Sequence, residues 1–168
     1  MSSSKVAIIT GGASGIGLAV TEALSQKGWA VHIFDVNNEK GATAAANNPS
    51  VIFHEADITS WESLSRAFDA PFKAKGHLDF VFANAGVLEK RSSTRGTSSE
   101  LTAATAMGAA EEEIWDKYPP EFLTPMSSIT ATVEMLLAGE HMQDASGKVV
   151  EDSNTGLAVE ILGDETYF

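Results

Sequence analysis

Eight consecutive residues near the start of the chain have types and a spacing that can hold a phosphate: Thr10, Gly11, Gly12, Ala13, Ser14, Gly15, Ile16 and Gly17. They follow a short apolar run, Val6 to Thr10, and open a segment with helical spacing. In that setting the three key glycines, Gly11, Gly15 and Gly17, have separate jobs. One permits a tight turn, one lets the backbone approach a pyrophosphate, and one lets the helix pack closely on the strand. The anion then rests on free N–H groups at the helix N-terminus, where the dipole favours negative charge. Ser14 and Ile16 complete this candidate site.

A second candidate is Asp35, 18 residues past Gly17, where a second strand ends. An acid there accepts hydrogen bonds from an adenosine ribose. The same carboxylate repels a 2′-phosphate, and positions 12 to 14 hold no Arg or Lys to attract one. NAD(H) is therefore favoured over NADP(H). The four histidines, His32, His54, His77 and His141, show no i, i+4 spacing on one element, so no metal site is expected. His54 and Asp57 lie where a third strand ends, on the side where such sheets bind ligands. Glu111, Glu112 and Glu113, beside Trp115 and Asp116, read as a solvated acidic helix face.

These residues need a scaffold, and residues 5–86 supply alternating strands and helices. Strands are expected at Val6–Thr10, Ala30–Phe34, Val51–His54 and Leu78–Ala83. Helices are expected at Ile16–Gln26, with Gly28 as the stop, at Asn37–Asn47, and from Trp61 to about Phe72 behind a Ser60 N-cap. Such alternation implies βαβ units and a parallel sheet. Beyond it, Glu89–Ser99 reads as a loop and Glu100–Trp115 as an alanine-rich helix broken by Pro119 and Pro120. Thr124 and Pro125 open an amphipathic helix ended by Gly139. Gly147–Val150 and Leu157–Ile161 are short strand candidates.

The 168 residues contain no cysteine, which excludes disulfides and thiol chemistry. A formal net charge of −12 argues against nucleic acid or an anionic membrane as partner. No apolar run reaches the roughly 18–20 residues of a membrane span, and the first residues lack the pattern of a signal peptide. A single cytoplasmic domain is expected over residues 1–168, with 5–87 as the dinucleotide-binding half and 88–168 as a helical segment plus a last helix and strand.

The order Thr10-to-Gly17 turn, then Asp57 and Ile58, then Asn84, Ala85 and Gly86 resembles the short-chain dehydrogenase/reductase family, in the form of its fungal members. The resemblance covers residues 5 to about 87. A weaker likeness, to the family's last helix and strand, runs from Phe122 through Val150. It implies a Rossmann-like, doubly wound parallel α/β sheet, truncated to about five or six strands. It also implies that Asp57 and Ile58 hold the adenine of the cofactor. Asn84, Ala85 and Gly86 then border the cofactor, and Thr10 ties the glycine loop to them.

The same resemblance exposes a gap. The family carries a catalytic Ser and a Tyr-x-x-x-Lys pair after the fourth strand. This sequence has two tyrosines, Tyr118 and Tyr167, and neither is followed by Lys at the fourth position. No residue is assigned a catalytic role. The sequence therefore points to a non-redox enzyme of cyclase or isomerase type acting on a small organic molecule in secondary metabolism. An NAD(H)-binding regulatory module and a residual NAD-dependent oxidoreductase are the alternatives; the non-redox reading leaves open a chain that uses no cofactor. An uncovered edge on the fourth strand points to a homodimer, unless a late strand near Val149 or Val159 fills it.

Overall fold

The computed structural model describes residues 4–86, 124–138, 142–143, 146–150, 160–162 and 165–167. The chain divides into two compact units, Met1–Thr94 and Arg95–Phe168.

The first unit is built on four parallel strands: β1 (Val6–Thr10), β2 (Ala30–Asp35), β3 (Val51–Glu55) and β4 (Phe80–Ala83), in the order β3-β2-β1-β4. Central β1 is buried at every residue, as an apolar run covered on both faces must be. Its register pairs Ile8 with His32 and Val81, and Thr10 with Phe34 and Ala83. Three helices cross between the strands: α1 (Gly15–Gln26), α2 (Asn38–Ala46) and α3 (Trp61–Lys75). The fold is the doubly wound α/β arrangement that the sequence implied.

In this unit two boundaries differ from the sequence-based expectation by more than one residue. Helix α3 runs through buried Pro71 and past Phe72 to Lys75. Its stop is Gly76, whose φ of +74° is a left-handed closure that places its N–H on the Phe72 carbonyl at 2.8 Å. Strand β4 starts at Phe80, two residues late. Asp79 is instead engaged by Val6: its own N–H donates to the Val6 carbonyl, and its carboxylate accepts the Val6 N–H at 2.7 Å.

One core lies between the sheet and α3. Ile8, Phe34, Ala56 and Ala67 are buried there, with Leu64, Phe68 and Leu78 against them. On the opposite face α2 lies so close to β3 that a Cβ at Gly41 would stand 2.2 Å from the Phe53 ring.

In the second unit α4 spans Met126–Ala138, with Thr132 and Val133 buried. The Pro125 carbonyl accepts from the N–H groups of Ser128 and Ile129, so proline stands just ahead of the helix. Four short strands follow: β5 (Met142–Gln143), β6 (Val149–Val150), β7 (Glu160–Leu162) and β8 (Glu165–Tyr167). They pair antiparallel, β5 with β6 and β7 with β8. Of the two ways to cover the β4 edge, the late strand is therefore not seen among the described residues. Each late strand satisfies its backbone with a nearby partner, so the parallel sheet has four strands among the described residues. The expected loop at 89–99, the expected helix at 100–115 and Gly139 lie outside the described residues, as do Tyr118 and His141. No helix of the described residues is long and apolar enough to cross a membrane.

Candidate dinucleotide site

The glycine turn is locked to the end of β4 by one polar knot. The Thr10 side-chain oxygen accepts the N–H groups of Asn84 and Ala85, each at 3.0 Å. Asn84 Nδ2 donates back to the Thr10 carbonyl at 3.1 Å and to the Gly11 carbonyl at 3.5 Å. The Gly11 N–H donates to the Phe34 carbonyl at 2.7 Å, which carries β2 into the same knot. Three strand ends thus meet around Gly11, at the carboxyl edge of a parallel sheet, where open α/β folds bind ligands.

This closeness explains the glycines. Gly11 turns with φ +66°, and a Cβ on it would meet Ala85 Cα and Asn84 Nδ2 at 3.0 Å. A Cβ on Gly17 would stand 2.2 Å from the Gly11 carbonyl oxygen and 2.8 Å from Asn84 Nδ2. Thr21, buried one turn later, fastens the helix start by donating to the Gly17 carbonyl at 2.7 Å. Gly86 is different, because among the described residues a Cβ there would reach only the Asn84 carbonyl, at 4.0 Å.

Ser14 is the N-cap of α1 in extended conformation, yet its side chain makes no capping bond. The first turn carries no acidic side chain. The N-terminal amides, Ile16 among them, are therefore not answered by a side chain at the cap, which leaves the dipole end for an external anion. The contrast with the other helices is direct. Asn37 caps α2 by accepting from Lys40 N–H at 2.9 Å, and Ser60 caps α3 by accepting from Ser63 N–H at 3.3 Å.

Asp35 closes the turn from the β2 side. One carboxylate oxygen accepts the Ala13 N–H at 3.2 Å and the other the Asn37 N–H at 3.0 Å. The carboxylate is thereby aimed across the loop and retains lone pairs for hydroxyl donors. Asp57 lies at the end of β3. Thr59 donates to one of its oxygens from both its hydroxyl, at 2.7 Å, and its N–H, at 2.8 Å. Those bonds favour the charged form and hold the Asp57 pKa below the usual carboxylate value. Ile58 beside it is 41% exposed, an open apolar surface next to an acceptor.

Beside these residues is a cavity of about 500 Å³ lined by Val36, His54, Glu55, Asp57, Ser63, Arg66 and Ala67. Val36, Ser63 and Arg66 were not singled out by sequence reasoning. Their signal is positional: Val36 follows Asp35, and Ser63 and Arg66 share a helix face three residues apart. His32 and His54 read as scattered residues in the sequence, but the structure brings them together on adjacent strands with His32 Nδ1 and His54 Nε2 2.9 Å apart. No group of three or more His, Asp or Glu among the described residues could hold a metal ion.

A parallel sheet with a glycine turn under an open helix start, and an acid closing the second strand, defines the class of dinucleotide-binding α/β proteins. The family model for short chain dehydrogenase matches residues 5–151, and the chain belongs to that family. It is 50% identical over 76 residues to the short-chain dehydrogenase/reductase prx7 of Penicillium rubens, covering 45% of this chain and 27% of that protein. It is 32% identical over 148 residues to the short-chain dehydrogenase/reductase ascJ of Acremonium egyptiacum, covering 85% of this chain and 45% of that one. The chain thus spans less than half the length of either relative. Among solved structures it is similar to a short-chain dehydrogenase/reductase from Burkholderia phymatum in complex with NAD, with 32% identity and a TM-score of 0.47 over 52% of this chain and 33% of that one.

Proposed function

We propose that residues 4–86 bind NAD(H) through its adenosine and pyrophosphate half. The observation that carries this is the knot of Thr10, Gly11, Gly17 and Asn84, which holds the glycine turn open beneath an α1 N-terminus with no side-chain cap. Gly11, Gly15 and Gly17 would admit the pyrophosphate, with Ser14 and Ile16 at the helix start. Asp35 would take the ribose hydroxyls, Asp57 and Ile58 the adenine, and Asn84, Ala85 and Gly86 the near wall. When bound, the nicotinamide supplies a hydride acceptor or donor. The part of this chain is to bind, orient and discriminate. Asp35 favours NAD(H) over NADP(H), because a carboxylate repels a 2′-phosphate. Calorimetric titration with NAD⁺, NADH and NADPH tests this: NADH is expected to bind at least about tenfold more tightly than NADPH, a difference of roughly 1.4 kcal/mol. Equal affinity, or tighter NADPH, would refute it.

For the chemistry of the chain, the reading favoured by the sequence is a non-redox one. Hydride transfer needs a proton relay of suitable pKa held near the reacting carbon, and no Tyr-x-x-x-Lys occurs in the 168 residues. A cyclisation or isomerisation of a small organic molecule, driven by shaping the substrate and placing a few polar groups, fits that composition. An NAD(H)-sensing role fits it as well. Cofactor-linked absorbance change with a panel of ketones and alcohols decides the point: none is expected, and steady turnover would sink the non-redox reading.

A further inference from the structure

The dinucleotide reading makes no use of the two histidines beneath α3. His32 on β2 is 2% exposed, and His54 on neighbouring β3 is half-buried and opens on the cavity. Their rings stack with centroids 5.2 Å apart and planes 20° from parallel, and the 2.9 Å pair His32 Nδ1 and His54 Nε2 is a hydrogen bond. The other nitrogen of His32, Nε2, is buried and has no partner among the described residues.

That orphan nitrogen sets the tautomers. A buried acceptor without a donor is better tolerated than a buried N–H without an acceptor. His32 therefore carries its proton on Nδ1 and donates to His54 Nε2, and His54 carries its own proton on Nδ1. Neither ring can then take another proton without loss. His54 Nε2 is already filled by the incoming N–H. A proton on His32 Nε2 would be a buried charge with an unbonded N–H.

We propose that the His32–His54 pair is an acid-sensitive latch, which fastens α3 and the Asp57–Ile58 turn to the sheet while neutral and releases them when protonated. The packing makes the connection. Phe34 sets its ring edge-on to both His54, at 5.4 Å, and Phe68 of α3, at 5.3 Å. Ser63 of α3 holds the Asp57 N–H at 3.0 Å. The charged groups around the pair are Glu55 on β3, Asp57 on the turn, and Arg66 and Lys75 on α3; β1 presents none. Glu55 and Asp57 face water, whereas Lys75 adds to the penalty on a charged His32.

The direction of the pH effect follows. Burial first, then His54 and Lys75, push the His32 pKa from 6.5 down to about 4, and burial also lowers that of His54. The folded chain thus binds fewer protons than the unfolded one. The stability of the neutral pair is fully present above about pH 6.5 and is lost as pH falls toward 4.

The test uses the full 168-residue chain. Imidazole signals are followed by NMR from pH 8 to 4.5. The folding constant from urea unfolding and the protection of α3 amides, corrected for intrinsic exchange, are measured at pH 6.5, 6 and 5. His32 is expected to stay neutral in the folded chain until below about pH 5, and His54 to titrate below its ordinary range. An uncompensated proton lowers the folding constant by up to about tenfold per pH unit, so His32 alone gives a drop of somewhat under about tenfold from pH 6 to 5 and His54 adds to it, with α3 protection falling alongside. His54→Gln, which can still accept the His32 N–H and cannot titrate, is expected to make the drop smaller, leaving the His32 share of somewhat under about tenfold. His32→Phe is the second variant, and the wild-type NMR titration decides the matter if neither variant folds. Ordinary titration of the assigned His32 and His54 signals in the folded chain would overturn the latch, and so would α3 protection that does not change with pH. Acid weakening of NADH binding, absent in His54→Gln, is also expected; that arm rests on the dinucleotide reading. Failure of NADH to bind at any pH would count against that reading, while the NMR and unfolding results still decide the latch.

Discussion

The side-chain oxygen of Thr10 and the backbone N–H of Asn84, 74 residues apart in sequence, lie 3.0 Å apart. The same oxygen takes the Ala85 N–H at 3.0 Å, so one hydroxyl anchors the first two residues after β4. Thr10→Val keeps the shape and removes the acceptor. Two partly buried N–H groups then lose their partner, and a loss of about 2–6 kcal/mol is expected, at roughly 1–3 kcal/mol per unsatisfied group. Urea unfolding at pH 7 measures it, as a lower midpoint at unchanged slope.

Gly17 tolerates no side chain in this structure. A Cβ placed 2.2 Å from the Gly11 carbonyl oxygen would force α1 off the sheet end. Gly17→Ala is expected to cost about 1–3 kcal/mol, the usual range for overpacking, and to weaken NADH binding beyond that loss. Gly86→Ala is the control. Among the described residues it meets only the Asn84 carbonyl, at 4.0 Å, and it is expected to leave the unfolding midpoint where it was.

Asp35 is expected to set cofactor preference. Its two backbone bonds, from Ala13 and Asn37, survive in Asp35→Asn only in part, and the negative charge is gone. NADH affinity should fall about tenfold, since a hydrogen bond to a charged group contributes roughly 1.5–3 kcal/mol, while NADPH affinity should rise. A calorimetric comparison of the two cofactors on both chains checks this. Unchanged discrimination would remove Asp35 from the site.

The β4 edge carries the oligomer prediction. Strand β4 has one strand neighbour, β1, among the described residues, and Val81 on it is 42% exposed. An apolar edge of this kind invites pairing. A homodimer is expected by light scattering at micromolar concentration, and Val81→Lys should shift it toward monomer. A wild-type mass equal to one chain would end this proposal.

Much of the first unit was legible in the sequence because its signals are local. The turn from Thr10 to Gly17 needs glycine for reasons that act within a few residues, and Ser60 caps α3 as its position indicated. Long-range packing was not legible. That His32 and His54 touch depends on the register of β2 with β3, which pairs Phe34 with His54 and His32 with Ile52. Two isolated histidines 22 positions apart carry no trace of it. The α3 terminus was missed because Pro71 and Phe72 look like a stop, whereas the actual stop is the left-handed Gly76. A late strand beside β4 was one of two ways to cover that edge, and the local antiparallel pairing of the late strands is set by partners that short segments do not announce.

Calorimetric titration of NADH into the wild-type chain and into Gly15→Trp, at pH 7.5 and fixed salt, tests the central claim most directly. Gly15 opens α1 with φ +54°, where a bulky side chain would fill the anion site. Saturable 1:1 binding to the wild type, absent in a folded Gly15→Trp chain, is the predicted result. No binding at millimolar NADH, or binding that Gly15→Trp leaves intact, would contradict it.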